Sequence, residues 1–111
     1  MMNWRSLTTC GKDSFGRGVV FRFPTNQPFE KVVDFMIIEE HDSPTFYKII
    51  CSSGYHAGQT ELVFPAEAKH ESGGISVDWL KKNWALWVYP ECEPENVNYV
   101  DCYPSGHGVE T

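Results

Sequence analysis

Proline and glycine divide this chain of 111 residues into short apolar runs, and this punctuation limits what the chain can fold into. Residues 18–23 and 59–64 each stop at a proline, which cannot continue the hydrogen-bond ladder of a strand. Residues 45–52 and 97–103 also have the composition of strands. Residues 32–39 are apolar on both faces apart from Asp34, which predicts a central strand.

One segment shows helical periodicity instead. Four apolar side chains recur at the spacing of a single helix face, Val77, Leu80, Trp84 and Trp87. Ser76 can cap the first turn, and Pro90 prevents continuation, so we predict a helix over about residues 76–88. The pattern predicts one α+β domain over residues 1–111. We expect a mostly antiparallel sheet of four or five strands, the helix packed on one face and residues 104–111 as a frayed tail.

The distribution of charge indicates the kind of partner. Nine basic and fifteen acidic residues give a net charge of −6, the opposite of the basic surface of a nucleic-acid-binding protein. Residues 1–31 carry a net charge of +3 and residues 32–111 carry −9, and no lysine or arginine follows Lys82. We therefore expect a basic protein partner rather than nucleic acid or a membrane, although a solvated acidic tail would have the same composition.

Acidic residues interleaved with aromatic ones predict the binding residues. Trp79 lies off the apolar stripe of the helix, beside Asp78 and Lys81, so it is either an interface anchor or part of a second apolar patch. The candidate binding residues are this tryptophan and the acids of residues 39–42 and 91–101, namely Trp79, Glu39, Glu40, Asp42, Glu91, Glu93, Glu95 and Asp101. A homodimer formed through Trp79 or through an edge strand remains an alternative.

Two candidate catalytic groups have simpler structural explanations. Cys51 or Ser53 with His56 would suit a small hydrolase, but the segment lacks the G-x-S-x-G turn of such enzymes. A cysteine in the middle of a strand is typically a small buried apolar residue. Asp34 could act as a general acid or base. Its position in a central strand favours a structural role, bonded to backbone amides or to Arg17 or Arg22.

The sequence shows no cofactor or metal motif. Cys92, Cys102 and His107 lack the closely spaced pairs of a zinc site, and there is no glycine-rich phosphate loop. We expect the four cysteines to be free buried thiols. The first ten residues do not resemble a signal peptide, and the longest apolar stretch is too short to cross a bilayer, so we expect a cytoplasmic protein.

Residues 73–84 (GGISVDWLKKNW), followed by 87–92 (WVYPEC), resemble bacterial immunity proteins of polymorphic toxin systems, specifically the group called immunity protein 45. Residues 17–24, 33–36 and 52–55 fit the same group. The resemblance implies a non-enzymatic inhibitor that is encoded beside a toxin and stays in the cytoplasm of the producing cell. There it would bind the C-terminal domain of a toxin delivered by contact-dependent growth inhibition or a similar system.

Many such toxin domains are nucleases, whose basic surfaces bind phosphate, so an acidic inhibitor fits the resemblance. An RNase, a DNase and a toxin of another activity all remain open, as do an active-site plug and docking at another site. The resemblance supplies no catalytic residues. The alternatives are the small hydrolase and an acidic adaptor for a basic protein unrelated to toxins.

Overall fold

The computed structural model describes residues 3–26 and 29–103 and confirms the α+β prediction. Eight strands and one α-helix alternate with short helical turns. The strands are β1 (Arg5–Ser6), β2 (Ser14–Phe15), β3 (Val20–Pro24), β4 (Val32–Glu39), β5 (Tyr47–Cys51), β6 (Thr60–Val63), β7 (Ile75–Ser76) and β8 (Asn98–Val100). The helix α1 is Val77–Asn83, and 3₁₀ turns occupy Gly54–His56, Ala66–Ala68 and Pro94–Asn96. The predicted tail of residues 104–111 lies outside the described residues.

Six strands form one antiparallel sheet in the order β1-β8-β3-β4-β5-β6. β4 lies inside the sheet, as predicted, and pairs with β3 and β5 along most of its length. β2 and β7 form a separate two-stranded ribbon that leads into the helix. The prediction of four or five strands missed the two-residue strands, because two residues are too few to show a periodicity.

Aromatic side chains from the inner face of the sheet make the core. Phe21 and Phe23 point from β3 toward the helical segment, and the indole ring of Trp84 packs against both at centroid distances of 5.3 and 5.1 Å. Phe35 of β4 meets Phe23 edge to face at 4.9 Å. These side chains are almost completely buried, so the helix and the two central strands share one apolar core.

The helix begins where the sequence predicts. The Ser76 hydroxyl accepts a hydrogen bond of 3.1 Å from the Trp79 amide, which satisfies one of the free amides of the first turn. The chain then continues as a π-helix over Trp84–Val88, closed by a bond from the Tyr89 amide to the Trp84 carbonyl. None of the described helices is long and apolar enough to cross a membrane.

The expectation that Trp87 belongs to the buried stripe was wrong. Val77, Leu80 and Trp84 are buried, but 40% of Trp87 is exposed. Because a π-helix bonds residue i to residue i+5, its turns are wider than those of an α-helix. The 3.6-residue spacing of an α-helix therefore no longer describes the chain after Trp84, and Trp87 faces partly toward solvent.

The outer face of the sheet contains a partly buried ionic network around the buried Asp34. Arg22 donates two hydrogen bonds to the Asp34 carboxylate, at 2.8 and 3.0 Å, and the Tyr103 hydroxyl donates a third at 2.8 Å. The Asp34 amide donates to the Ser53 hydroxyl, and the Trp4 ring lies against the guanidinium of Arg22. The hydrogen bond with Asp34 raises the pKa of Arg22. This network confirms the structural interpretation of Asp34.

We predict that Asp34→Ala lowers the free energy of unfolding by about 2 kcal/mol or more, because it leaves Arg22 and Tyr103 without their shared acceptor. Urea unfolding followed by circular dichroism measures the change. Arg17→Ala is the control, since Arg17 forms only an exposed ion pair of 3.7 Å with Glu39. It should change stability by less than about 0.5 kcal/mol. Equal losses in the two variants would contradict a stabilising network.

Candidate functional site

The seven acids among the predicted binding residues lie at two opposite ends of the sheet. Glu39 ends β4, whereas Glu91 accepts a hydrogen bond of 3.1 Å from Asn26, close to the start of β4. The eight residues of that strand separate the two ends by about 23 Å, at roughly 3.3 Å per residue. The eight candidates therefore do not form one continuous surface.

Acids at one end are mostly neutralised by cations of the same chain. We call this the compensated end, and its candidates are Glu39, Glu40, Asp42 and Asp101. Glu39 pairs with Arg17, Asp101 pairs with Lys12, and Glu40 forms an ion pair of 3.1 Å with Lys48. The hydrogen bond from Lys48 lowers the pKa of Glu40. These pairs leave less net charge for a partner to contact.

The opposite end gathers carboxylates that form no such ion pairs in the described residues, although Lys31 follows Glu30 and Arg22 lines a cavity there. We call it the acidic end, and its members are Glu30, Glu61, Glu91, Glu93 and Glu95. The last two flank Pro94 in the turn that leads into β8, where Asn96, Pro24 and Val32 line one surface cavity. None of the five forms an ion pair with a lysine or arginine of residues 3–26 or 29–103.

Sequence reasoning missed two of these carboxylates. Glu30 lies in the β3–β4 connection and Glu61 on β6, and each is an isolated acid in the sequence. Burial is the main influence on Glu61 and raises its pKa, since desolvation penalises the charged form. A cation brought close to Glu61 would stabilise the carboxylate again. The local sequence around Glu30 or Glu61 does not indicate a site. The two acids are far apart along the chain, and only the pairing of the strands brings them to the same end of the sheet.

Aromatic rings join the three segments that meet at the acidic end. Phe29 lies 5.0 Å from the ring of His56 and 6.1 Å from that of Tyr89. The Tyr89 hydroxyl accepts a hydrogen bond of 3.2 Å from the Asn26 amide. The β3–β4 connection, the Gly54–His56 turn and the segment after the π-helix are thus packed together, so this end has a defined shape.

Tyr55 stands out from this surface with 92% of its area exposed. Its backbone is held, because the Glu30 carboxylate accepts a hydrogen bond of 3.0 Å from the Tyr55 amide. Gly54 makes this contact possible: its φ is +68°, and a Cβ at that position would lie 2.5 Å from a Glu30 carboxylate oxygen. The bond from Tyr55 lowers the pKa of Glu30.

Trp79 is placed in the core by the structure. Only 9% of it is exposed, and its ring packs between Phe64 at 6.0 Å and Trp87 at 5.9 Å. Of the two interpretations of this residue, the packing favours a second apolar patch, which Trp79 forms beneath Trp87. The exposed apolar residues of this region are Trp87 and Leu86, which is 79% exposed. A role for Trp79 in binding stays a prediction.

The residues of the hydrolase alternative make separate structural contacts. Cys51 is buried, its thiol donates to the Ser53 carbonyl at 3.2 Å, and burial raises its pKa, which disfavours the nucleophilic thiolate. The Ser53 hydroxyl accepts a hydrogen bond from the Asp34 amide. The Nδ1 atom of His56 lies 3.2 Å from the Oε1 atom of Gln59. These contacts do not assemble a nucleophile with its base.

The thiols and acids of the described residues form no metal site. All four cysteines are free, Cys102 is exposed and the other three are buried. Across residues 3–26 and 29–103, no group of three or more His, Cys, Asp or Glu side chains is placed to hold a metal ion. His107, the third member of the group weighed from the sequence, lies outside the described residues.

Tyrosine is enriched at protein–protein interfaces, and Tyr55 is exposed at the acidic end. Comparison with models of protein families identifies the chain as an immunity protein. The family model described as immunity protein 45 matches residues 7–99, and the chain belongs to that family, as the sequence resemblance indicated. Searches of curated proteins and of solved structures gave no match.

We predict that Gly54→Ala destabilises the protein more in the presence of Glu30 than in a Glu30→Ala background. Gly54 and Gly58 both have positive φ, +68° and +96°, so alanine is strained at either position. A Cβ at Gly58 meets open space, whereas one at Gly54 displaces the Glu30 carboxylate and breaks its bond to Tyr55. Chemical unfolding of each variant in both backgrounds measures the difference. Gly58→Ala is the control and should cost the same in both backgrounds, and an equal cost of Gly54→Ala in both would contradict this explanation.

The bond between Glu30 and the Tyr55 amide should also make stability depend on pH. Because folding lowers the pKa of Glu30, its carboxylate stabilises the protein above the unfolded-state value of about 4.3, and this contribution is lost as the pH falls through the folded-state pKa. Glu30→Gln should therefore be less stable than wild type at about pH 6, with the difference shrinking toward about pH 3. Urea unfolding across this range measures it, and a constant difference would count against the assignment.

Proposed function

We propose that this immunity protein neutralises a cognate toxin domain of basic charge by forming a stoichiometric complex through its acidic end, in the cytoplasm of the producing cell. The observation that carries the proposal is that, within the described residues, carboxylates without lysine or arginine ion pairs lie at the end of the sheet that also presents an exposed tyrosine. Family membership implies a toxin as the partner. The negative charge of this protein and its exposed tyrosine are the reasons for proposing that the toxin domain is basic.

A basic toxin domain fits this surface for an electrostatic reason. Enzymes that cleave nucleic acid carry cationic grooves that bind phosphate, and an array of carboxylates offers such a groove a similar pattern of negative charge. Complementary fields also accelerate association, which is useful to an inhibitor that must reach an incoming toxin quickly. We therefore propose a nuclease as the toxin and occlusion of its phosphate-binding groove as the mechanism.

The predicted residues divide between the two ends in this proposal. Glu91, Glu93 and Glu95 face the toxin, together with Glu30 and Glu61. At the compensated end Glu39, Glu40 and Asp101 already contact cations of their own chain, so a toxin would have to displace those cations to use them. Asp42 is exposed but lies at the same end, and its amide donates to Glu40. We propose a supporting electrostatic role for these four.

The first test is protection of cells. Co-expression with the toxin encoded by the adjacent reading frame should restore growth, and the purified toxin domain should form a one-to-one complex with this protein. Failure of both rescue and complex formation would overturn the proposal. An acidic adaptor would instead bind a basic protein not encoded beside it and would give no rescue.

We predict that the Glu93→Lys/Glu95→Lys variant associates with the toxin domain about tenfold more slowly at low salt, with a flatter dependence on salt, because the steering field is weakened. Stopped-flow or surface plasmon resonance at several salt concentrations measures both effects.

The matched control is Glu67→Lys/Glu71→Lys, which changes the net charge equally at exposed positions beyond the Val63 end of β6. Its association rate should fall by less than about threefold, since the changed charges lie away from the acidic end. Equal slowing by both variants would show that net charge alone, and not the acidic end, governs association.

A further inference from the structure

We infer that Tyr55 is the anchor of the toxin interface, inserting its ring into a pocket of the toxin that is apolar inside and basic at its rim. This inference rests on the proposed function and names the residue that supplies affinity, whereas the carboxylates supply steering. It begins from exposure: 92% of the Tyr55 surface is open to solvent, on a 3₁₀ turn without a buried residue. Tyrosine is among the residues that most often dominate binding energy at interfaces.

The turn that presents Tyr55 is held in place before binding. Its backbone amide is bonded to the Glu30 carboxylate, and the Ala57 amide closes the turn on the Gly54 carbonyl at 3.2 Å. The next side chain, His56, packs its ring against Phe29, which is partly buried and packs against the hydrophobic core. A side chain on a preorganised turn loses less conformational entropy on binding, so more of its contact energy becomes affinity.

The charges around Tyr55 define the rim of the pocket that fits it. Glu30 is bonded to the backbone of the turn. Glu61 on β6 lies close to His56: burial raises the pKa of Glu61, and the imidazole opposes this with a smaller effect. Lysine or arginine side chains on the toxin would pair with these two carboxylates when the ring enters. The contact thus combines a central aromatic anchor with a polar, charged rim, the usual anatomy of an interface.

Glu30 also acts as a positioning residue, because its carboxylate holds the Tyr55 backbone as well as placing a charge at the rim. Glu30→Gln removes the charge but keeps a side-chain oxygen that can accept the Tyr55 amide, whereas Glu30→Ala removes both. Only the part of the loss that passes through Tyr55 should disappear with the tyrosine, so Glu30→Ala should weaken toxin binding more in the wild-type background than in Tyr55→Ala. A double-mutant cycle measures this coupling, and equal losses in the two backgrounds would contradict the positioning role.

The test compares three substitutions by surface plasmon resonance against the immobilised toxin domain of the adjacent reading frame. Tyr55→Ala should raise the Kd by about 30-fold or more, mainly through faster dissociation. Tyr55→Phe should keep most of the affinity, because the ring fills the same pocket. Phe46→Ala is the control: Phe46 is also an exposed aromatic residue, 57% accessible, but it precedes β5 at the end opposite to Tyr55. It should change the Kd by less than about threefold.

Each outcome bears on the inference. A complex that forms normally but loses less than about threefold in affinity with Tyr55→Ala would overturn the anchor and leave the proposed function standing. Absence of a complex with the wild-type protein would overturn both. If Tyr55→Ala instead separates a homodimer in sedimentation velocity and leaves the toxin affinity unchanged, Tyr55 serves self-association and the inference fails. Circular dichroism of each variant confirms that the fold is intact.

Discussion

The packing of Trp84 against Phe21 and Phe23 is the contact on which the rest of the structure depends. It joins the helical segment to β3, and through Phe35 to the central strand β4. The indole nitrogen of Trp84 is buried without a hydrogen-bond partner in the described structure. Burying an unbonded N–H is unfavourable, and we attribute its tolerance to the large apolar area that the ring removes from water and to its edge-to-face contacts.

The candidate site follows from how the antiparallel strands end. Antiparallel pairing places the connection after β3, the turn after β5 and the start of β8 at one end of the sheet. Carboxylates on those segments therefore gather although they are distant in sequence, while Lys12 and Arg17 pair with Asp101 and Glu39 at the other end. The same topology that builds the core thus separates a neutralised end from an acidic one.

The sequence predicted the strands, the helix start and the pairing of Asp34 because each has a local signal. Proline marks the end of β3, Ser76 marks the start of α1, and an acid within an apolar strand implies a hydrogen-bonding partner. The exposure of Trp87 could not be predicted, because it depends on a π-helix that a 3.6-residue period does not represent. The sequence did not predict the short strands β1, β2 and β7. Each has only two residues, so it is a strand because of the hydrogen bonds to its partner strand and not because of its composition.

The sequence by itself determined the fold class, the family and the excess of negative charge, since these depend on composition, local periodicity and motif. Only the tertiary structure decided which acids remain without cations of their own chain. Glu39 and Glu91 look alike in the sequence, but one lies beside Arg17 and the other beside a neutral asparagine. The structure also buries Trp79 and leaves Tyr55 exposed. The physical reason is that burial and ion pairing depend on distances in space, which strand register and packing set and which spacing along the chain does not.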